Sequence, residues 1–305
     1  MVLIAIGFLA GKRQWMRAES VRDVSNLIFL VLTPALLFRT MAQVHLQRLE
    51  WKPLLVYFLA VAVLFFGTLF WTGFHRRGAV LALAASFSNT VMIGISLVGL
   101  AYGEAGLVPL LTLVSLHSLV LLTTATVVLE LAVAREHAAA QGLGRSARAR
   151  LGTVWLAVRN AVIHPVPLPI VFGLVIAQTG WTIPPLVDQP LQWLGAAFGP
   201  LALLMVGVSV AHNPIRGQWA YALRLSAIKN LLHPLLMLGL GKLFGLQGLP
   251  LTVMVVVASL PMGANVLLFA QRYGVAEELI TASMAVSTVL ALGTVALTMA
   301  LMALV

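Results

Sequence analysis

Cysteine is absent from this 305-residue chain, which excludes disulfides and thiolate metal sites and leaves its redox compartment unread. Charge is scarce as well. Asp, Glu, Lys and Arg together make 9% of the residues, against roughly 25% in soluble domains. Of the nine acidic residues, only Glu130, Asp188, Glu277 and Glu278 fall within a hydrophobic segment, each near an end. A mid-membrane carboxylate, the usual cation or proton site, is therefore not expected. The signatures HExxH, GxSxG and GxxxxGK[ST] are missing, so neither proteolysis nor ATP-driven transport by this chain alone is expected, and no cofactor or metal is implied. Strong period-two alternation is also lacking, which argues against a membrane β-barrel. No cleavable signal with a basic leading region is visible, since the chain starts in apolar sequence.

What remains is long apolar runs. Hydrophobic residues make 61% of the chain and mean hydropathy is +1.01. Residues 53–74 carry no charge and are long enough to cross a hydrocarbon core of roughly 30 Å. The sequence predicts an all-α polytopic membrane protein of about ten segments, near 1–11, 24–44, 53–74, 78–102, 106–134, 157–178, 186–211, 218–241, 249–271 and 276–304. The longest polar interruption, REHAAAQGLGRSARAR, spans 135–150 and separates two halves, 1–135 and 157–305, joined by a linker at 136–156. The first segment offers only about 11 apolar residues, or ~16 Å of helix. It is either truncated or a half-helix supported by neighbours.

Loop charge sets an orientation. With the amino terminus outside, fourteen basic residues fall on the cytoplasmic side and four (Arg39, Arg48, Lys52 and Lys242) on the outer side, with Lys229 left within the membrane. The positive-inside rule then puts both termini outside. It also accounts for most of the formal charge of +10 without a nucleic-acid partner. Short loops and the excess of arginine over lysine look prokaryotic, which suggests a bacterial inner membrane.

The halves echo each other. Segment two reads VLTPALLF with Pro34 and segment seven AFGPLALLM with Pro200; segment four carries Asn89 and segment nine Asn265. Each asparagine is followed by Tyr-Gly-x-Ala, at Tyr102 and Tyr273. Five segments per half is an odd number, so equivalent segments run in opposite directions: an inverted-topology repeat of the secondary-transporter kind.

The stretch ASLPMGANVLLFAQRYG, 258–274, sets Pro261, Gly263 and Asn265 at alternate positions in an apolar helix. Pro261 removes an amide donor and Gly263 loosens the backbone, while Gly94 and Gly99 follow Asn89. Buried asparagines are often interhelical glue. Two weakened helices in equivalent positions instead fit a substrate site at mid-membrane, where irregular backbone is tolerated when it lines a cavity. Lys229 lies near the centre of segment eight, where a lysine costs roughly 2.5–3.5 kcal/mol. It could attract an anion, or take up and release a proton as access alternates. With no central carboxylate, a lysine and half-helix amino termini point to an anionic substrate. His117, inside segment five, reads first as structural, but titrates in the physiological range if it faces the cavity. His164 and His233 each precede a proline and read as structural; the GxxxG-like spacings read as packing.

The motifs VLTPALLF (31–38), SFSNTVMIGISL (86–97), IKNLLHPLL (228–236) and LPMGANVLLFAQRYG (260–274) resemble the auxin efflux carrier family, which includes bacterial malonate-transporter-like proteins and plant PIN exporters. The resemblance covers essentially the whole chain. It implies a fold like that of sodium/proton antiporters and bile-acid carriers: two inverted five-helix repeats whose fourth and ninth helices are broken and cross. By the same analogy, segments one, two, six and seven form a scaffold that makes a homodimer, and segments three to five and eight to ten form the moving transport domain. Asn89 and Asn265 fall on the family's crossover asparagines and Pro261 on its crossover proline. In the fourth segment Ser96 stands where the family usually has proline, so Gly94 and Ser96 are expected to carry that break, less sharply than in the ninth. Segment three lacks the charged support of the plant exporters, which makes auxin a poor substrate.

The leading expectation is a secondary transporter of a small organic anion, malonate-like or another carboxylate, in a lipid bilayer. Ser88, Asn89, Lys229, Gly263, Asn265 and His117 are its candidate substrate-binding residues, with possible proton coupling. The alternatives are sodium-coupled carriage of the bile-acid type and a non-transporting receptor with the same fold.

Overall fold

A computed structural model describes residues 2–43, 50–140, 155, 165–212 and 217–304. Most of the expected linker, its cluster of arginines and the first residues of segment six lie outside the described residues, as do Arg48 and His164. Regular structure is helical throughout, and the described residues contain no strand. Five helices are long and apolar enough to cross a membrane, and three shorter helices are apolar.

Helix α1 is Val2–Lys12. Next come α2, Ala18–Leu27, a π-helical turn at Ile28–Leu32, and α3, Thr33–Met41, stacked as one rod. Helix α4 is Trp51–Thr72 and α5 is Arg76–Ser86. A second π turn, Thr90–Gly94, leads into α6, Ile95–Ala140, which is kinked at Gly103 (φ 62°). Helix α7 is Pro167–Thr179 and α8 is Pro185–His212. The rod of α9, Trp219–Ala227, a π turn at Ile228–Leu232 and α10, His233–Leu243, follows. The chain ends with α11, Gly248–Ser259, α12, Asn265–Tyr273, and α13, Glu277–Met302.

Two of the π turns have a cause in the sequence. Pro34 and Pro234 lack an amide hydrogen and crowd the carbonyl four residues upstream. The helix widens just before each, so that the amides of Thr33 and His233 reach back five residues to Ile28 and Ile228. Thr33 Oγ1 adds a second bond to the Ile28 carbonyl at 2.9 Å.

Helix α1 lies along α8, and α3 packs between α7 and α8. The approach of α1 to α8 depends on missing side chains. A Cβ on Gly7 would strike the Leu204 carbonyl, and one on Gly207 would strike that of Ile4. Small residues let membrane helices approach closely, where dispersion rather than hydrophobic exclusion drives packing. This close contact supports an α1 of only 11 residues. The remaining helices gather around α5, α6, α11 and α13, where the two interrupted stretches meet.

Candidate functional site

The chain leaves helical geometry twice in the buried interior, between α5 and the turn at Thr90–Gly94, and between α11 and α12. The two gaps pair with each other. The Asn89 amide donates to the Pro261 carbonyl at 3.0 Å, and the Gly263 amide donates to Phe87 at 3.0 Å. Ser88 and Met262 thus form an isolated antiparallel bridge. Gly263 is required here, because a Cβ would sit 2.5 Å from the Phe87 ring and 3.3 Å from the Ser88 carbonyl.

The first gap is Phe87–Asn89, where Phe87 is extended (ψ 111°) and Asn89 non-helical (ψ 63°). It falls upstream of the residues expected to carry it. Gly94 closes the π turn and Ser96 is already in regular α6. In the absence of a proline, the backbone departs where its amide can pair with the other gap rather than where the residue type is most permissive. The second gap, 260–264, contains Pro261 as expected and is the longer of the two.

A helix end buried in a membrane exposes carbonyls that water cannot reach, and each needs a donor. At the end of α11 all four are supplied. Ser259 Oγ donates to the Val256 carbonyl at 2.7 Å, and the Leu260 amide to Val257 at 3.2 Å. Lys229 Nζ donates to Ala258 at 2.8 Å and also to Leu260 at 2.7 Å, and Asn230 Nδ2 to Ser259 at 3.3 Å. Asn230 Oδ1 accepts from Ser287 Oγ at 2.6 Å, whose oxygen accepts from the Met262 amide at 3.1 Å. The π turn in the α9–α10 rod therefore holds the broken stretch in place. A cation there also favours the negative end of the α11 dipole.

The amino-terminal ends beyond the gaps are different. Among the described residues, no backbone hydrogen bond engages the amides of Val91, Met92, Ala264 or Asn265. All four residues line one small cavity of about 40 Å³, with Ser88 and Asn89 beside them. Two helix amino termini with unpaired amides and positive dipole ends thus border a common cavity, an arrangement that suits an anion. Asn89 and Asn265 are 7% and 8% exposed, and Asn265 Oδ1 is buried without a partner among the described residues. A cavity of this size admits a few waters and no more.

A vestibule of about 400 Å³ adjoins the cavity and shares Leu36, Thr40, Val91, Met92 and Phe198 with it. Met92 lies against Gly199 between them, and the Arg39–Asp188 ion pair, 2.8 Å, stands at the outer rim. A second vestibule of about 290 Å³ opens among Arg22, His212, Gln271 and Glu277 and shares no lining residue with the cavity.

Of the residues singled out from sequence, Ser88, Asn89, Gly263 and Asn265 come together around the cavity. Lys229 and His117 do not line it. Lys229 is fully buried and committed to backbone carbonyls. His117 is fully buried behind the gap, its ring 4.8 Å from that of Phe87 and 5.8 Å from that of Tyr57. Sequence reasoning missed Asn230 and Ser287, which complete the cradle, and Thr90 and Met92, which line the cavity. Asn230 had a signal, an amide adjoining a mid-membrane lysine; Ser287 is indistinguishable from other membrane serines.

The comparisons with known proteins point to membrane transport. The chain is 27% identical over 304 residues to a Rhizobium meliloti (strain 1021) protein named "Putative malonate transporter", covering 96% of this chain and 90% of that one. It is 23% identical over 299 residues to the "Uncharacterized transporter YfdV" of Escherichia coli (strain K12), covering 94% and 90%. It is 21% identical over 301 residues to an "Uncharacterized transporter" of Methanothermobacter thermautotrophicus, covering 96% and 92%. The family described as membrane transport protein matches residues 1–299. The chain is a multi-pass membrane transporter, not an enzyme, and belongs to that membrane transport protein family, the auxin efflux carrier family that its motifs resemble.

Proposed function

We propose that this chain is a secondary transporter that carries a small organic anion, a malonate-like or related carboxylate, by alternating access. The observation that carries the reading is the convergence of two helix amino termini, with four unpaired amides and Asn89 and Asn265, on one buried cavity. Those amides and asparagines would bind the carboxylate, with Ser88 and Gly263 beside them. Lys229 would act by holding the crossover open rather than by touching substrate. The name of the Rhizobium relative supports a dicarboxylate as the first substrate to test.

The reading includes two inverted five-helix repeats, with α5 to the start of α6 and α11–α12 as the equivalent broken segments. Matching Tyr-Gly pairs at the far ends of both, with Gly103 and Gly274 each at φ 62°, support the equivalence. The α1–α3, α7 and α8 group would be the dimerising scaffold, and the rest would move against it. The vestibules on either side of a closed cavity are what such a movement needs. Both termini would lie outside a bacterial inner membrane.

The test is uptake by proteoliposomes of radiolabelled malonate, with other mono- and dicarboxylates as competitors. Saturable uptake, inhibited by small carboxylates and absent from protein-free vesicles, is expected. Absence of uptake across the panel would sink the substrate class.

A further inference from the structure

A groove of about 1030 Å³ lies on the outer surface, between α4, the start of α5 and the α9–α10 rod. It is far larger than the central cavity and shares no lining residue with it. Val63, Leu64, Gly67, Ile228, Leu232 and Leu236 form its apolar body. One end is basic, carrying Arg77, Arg224 and His75 beside Tyr221. From Arg224 to Leu236 the rod runs about 18 Å at 1.5 Å per residue. That is close to the depth of one leaflet, half of a hydrocarbon core of roughly 30 Å.

The basic end is unusual electrostatically. Arg77 is in the first turn of α5, which has no acidic residue there, while Arg224 is in the last turn of α9. Helix amino termini are positive, so Arg77 opposes the dipole of α5 unless an anion joins it. Neither arginine is in an ion pair among the described residues; Arg224 lies 5.9 Å over the Tyr221 ring. By loop charge this end faces the cytoplasmic leaflet, where basic pockets between helices recruit anionic headgroups.

We propose that this groove binds an anionic phospholipid, with its acyl chains along Gly67, Ile228 and Leu236 and its phosphate at Arg77 and Arg224. The site has a consequence for the crossover. Ile228 and Leu232 face the groove from the π turn whose Lys229 and Asn230 hold the broken stretch. Lipid in the groove therefore braces that turn. This regulatory part rests on the transport reading; the binding part does not.

The experiment is native mass spectrometry and thermal unfolding of the purified full chain in detergent. Phosphatidylglycerol, phosphatidylcholine with the same acyl chains, and inorganic phosphate are added separately. Phosphatidylglycerol should be retained and raise the unfolding temperature, phosphatidylcholine should bind at least about tenfold more weakly, and phosphate alone should do nothing. Arg77→Gln with Arg224→Gln should weaken phosphatidylglycerol by about thirtyfold, the factor for two cations at a membrane surface. Gly67→Phe should exclude both lipids, since no atom lies within 4 Å of a Cβ there and the side chain can fill the groove without disturbing the fold. The single arginine variants decide if the double one does not fold. Equal binding of the two lipids, full retention in the arginine variants, stabilisation by phosphate alone, or a change of oligomeric state in Gly67→Phe would overturn the proposal. Binding is read without transport, so intact lipid retention with no solute uptake in any lipid would count against the transport reading alone.

Discussion

Two polar residues of the crossover are expected to fail in opposite ways. Lys229 donates to two carbonyls at the broken end of α11. Lys229→Met keeps the volume but leaves both carbonyls without that donor, at about 1–3 kcal/mol for a buried unsatisfied group. Nothing is regained by removing the charge. An unpacked helix would leave the ammonium facing lipid at roughly 2.5–3.5 kcal/mol, so its pairing favours the packed state. Lys229→Met should therefore destabilise the protein by about 3 kcal/mol, read by thermal or denaturant unfolding in detergent. Asn265 has an oxygen with no partner among the described residues, and little folded-state bonding is lost on truncation. Asn265→Ala should unfold within about 0.5 kcal/mol of the parent while carboxylate uptake drops at least tenfold. Equal stability of the lysine variant, or unchanged uptake by the asparagine variant, would refute the respective role.

At the scale of elements, the contact of Met92 with Gly199 closes the cavity on the Arg39–Asp188 side. Met92 Cγ lies 3.4 Å from where a Cβ on Gly199 would be, within one bond of disulfide-forming range. The natural absence of cysteine makes the pair Met92→Cys with Gly199→Cys a clean probe. Oxidation should cross-link the turn at Thr90–Gly94 to α8 and arrest uptake, and reductant should restore it. Uptake that continues in the cross-linked protein would mean that α8 and this turn do not separate during transport. Much of this element scale was legible beforehand. Apolar runs predict an all-helical membrane chain, and Pro261 with Asn265 mark the second gap. The first gap escaped exact placement because Phe87–Asn89 is defined by hydrogen bonds to Pro261 and Gly263, some 170 residues away in sequence. For Lys229, sequence gives a charge and its depth without its partners, so it suggests an anion or a proton and not the carbonyls of Ala258 and Leu260. The π turn that aims it at α11 follows from Pro234, whose neighbour His233 bonds back to Ile228.

For the whole molecule, the decisive quantity is the charge that crosses the membrane with each cycle. Among the described residues, no charged side chain lines the central cavity. On the proposed reading its attraction for an anion would come from backbone amides and helix ends, which remain with the protein, and Lys229 is occupied by carbonyls. A dicarboxylate carried alone would then take two negative charges across the field, about 4.6 kcal/mol for 100 mV at roughly 2.3 kcal/mol per charge. Sodium beside the substrate would lessen this, but the cavity offers no carboxylate to balance it. Replacing sodium by choline should therefore leave malonate uptake unchanged. An imposed inside-positive potential should accelerate uptake, and an inside-negative one should suppress it. Loss of accumulation in choline would instead assign sodium coupling of the bile-acid type. Indifference to potential combined with a response to an imposed pH gradient would mean that protons accompany the substrate, and would direct attention to the buried rings of His117 and His233, both beside Tyr57.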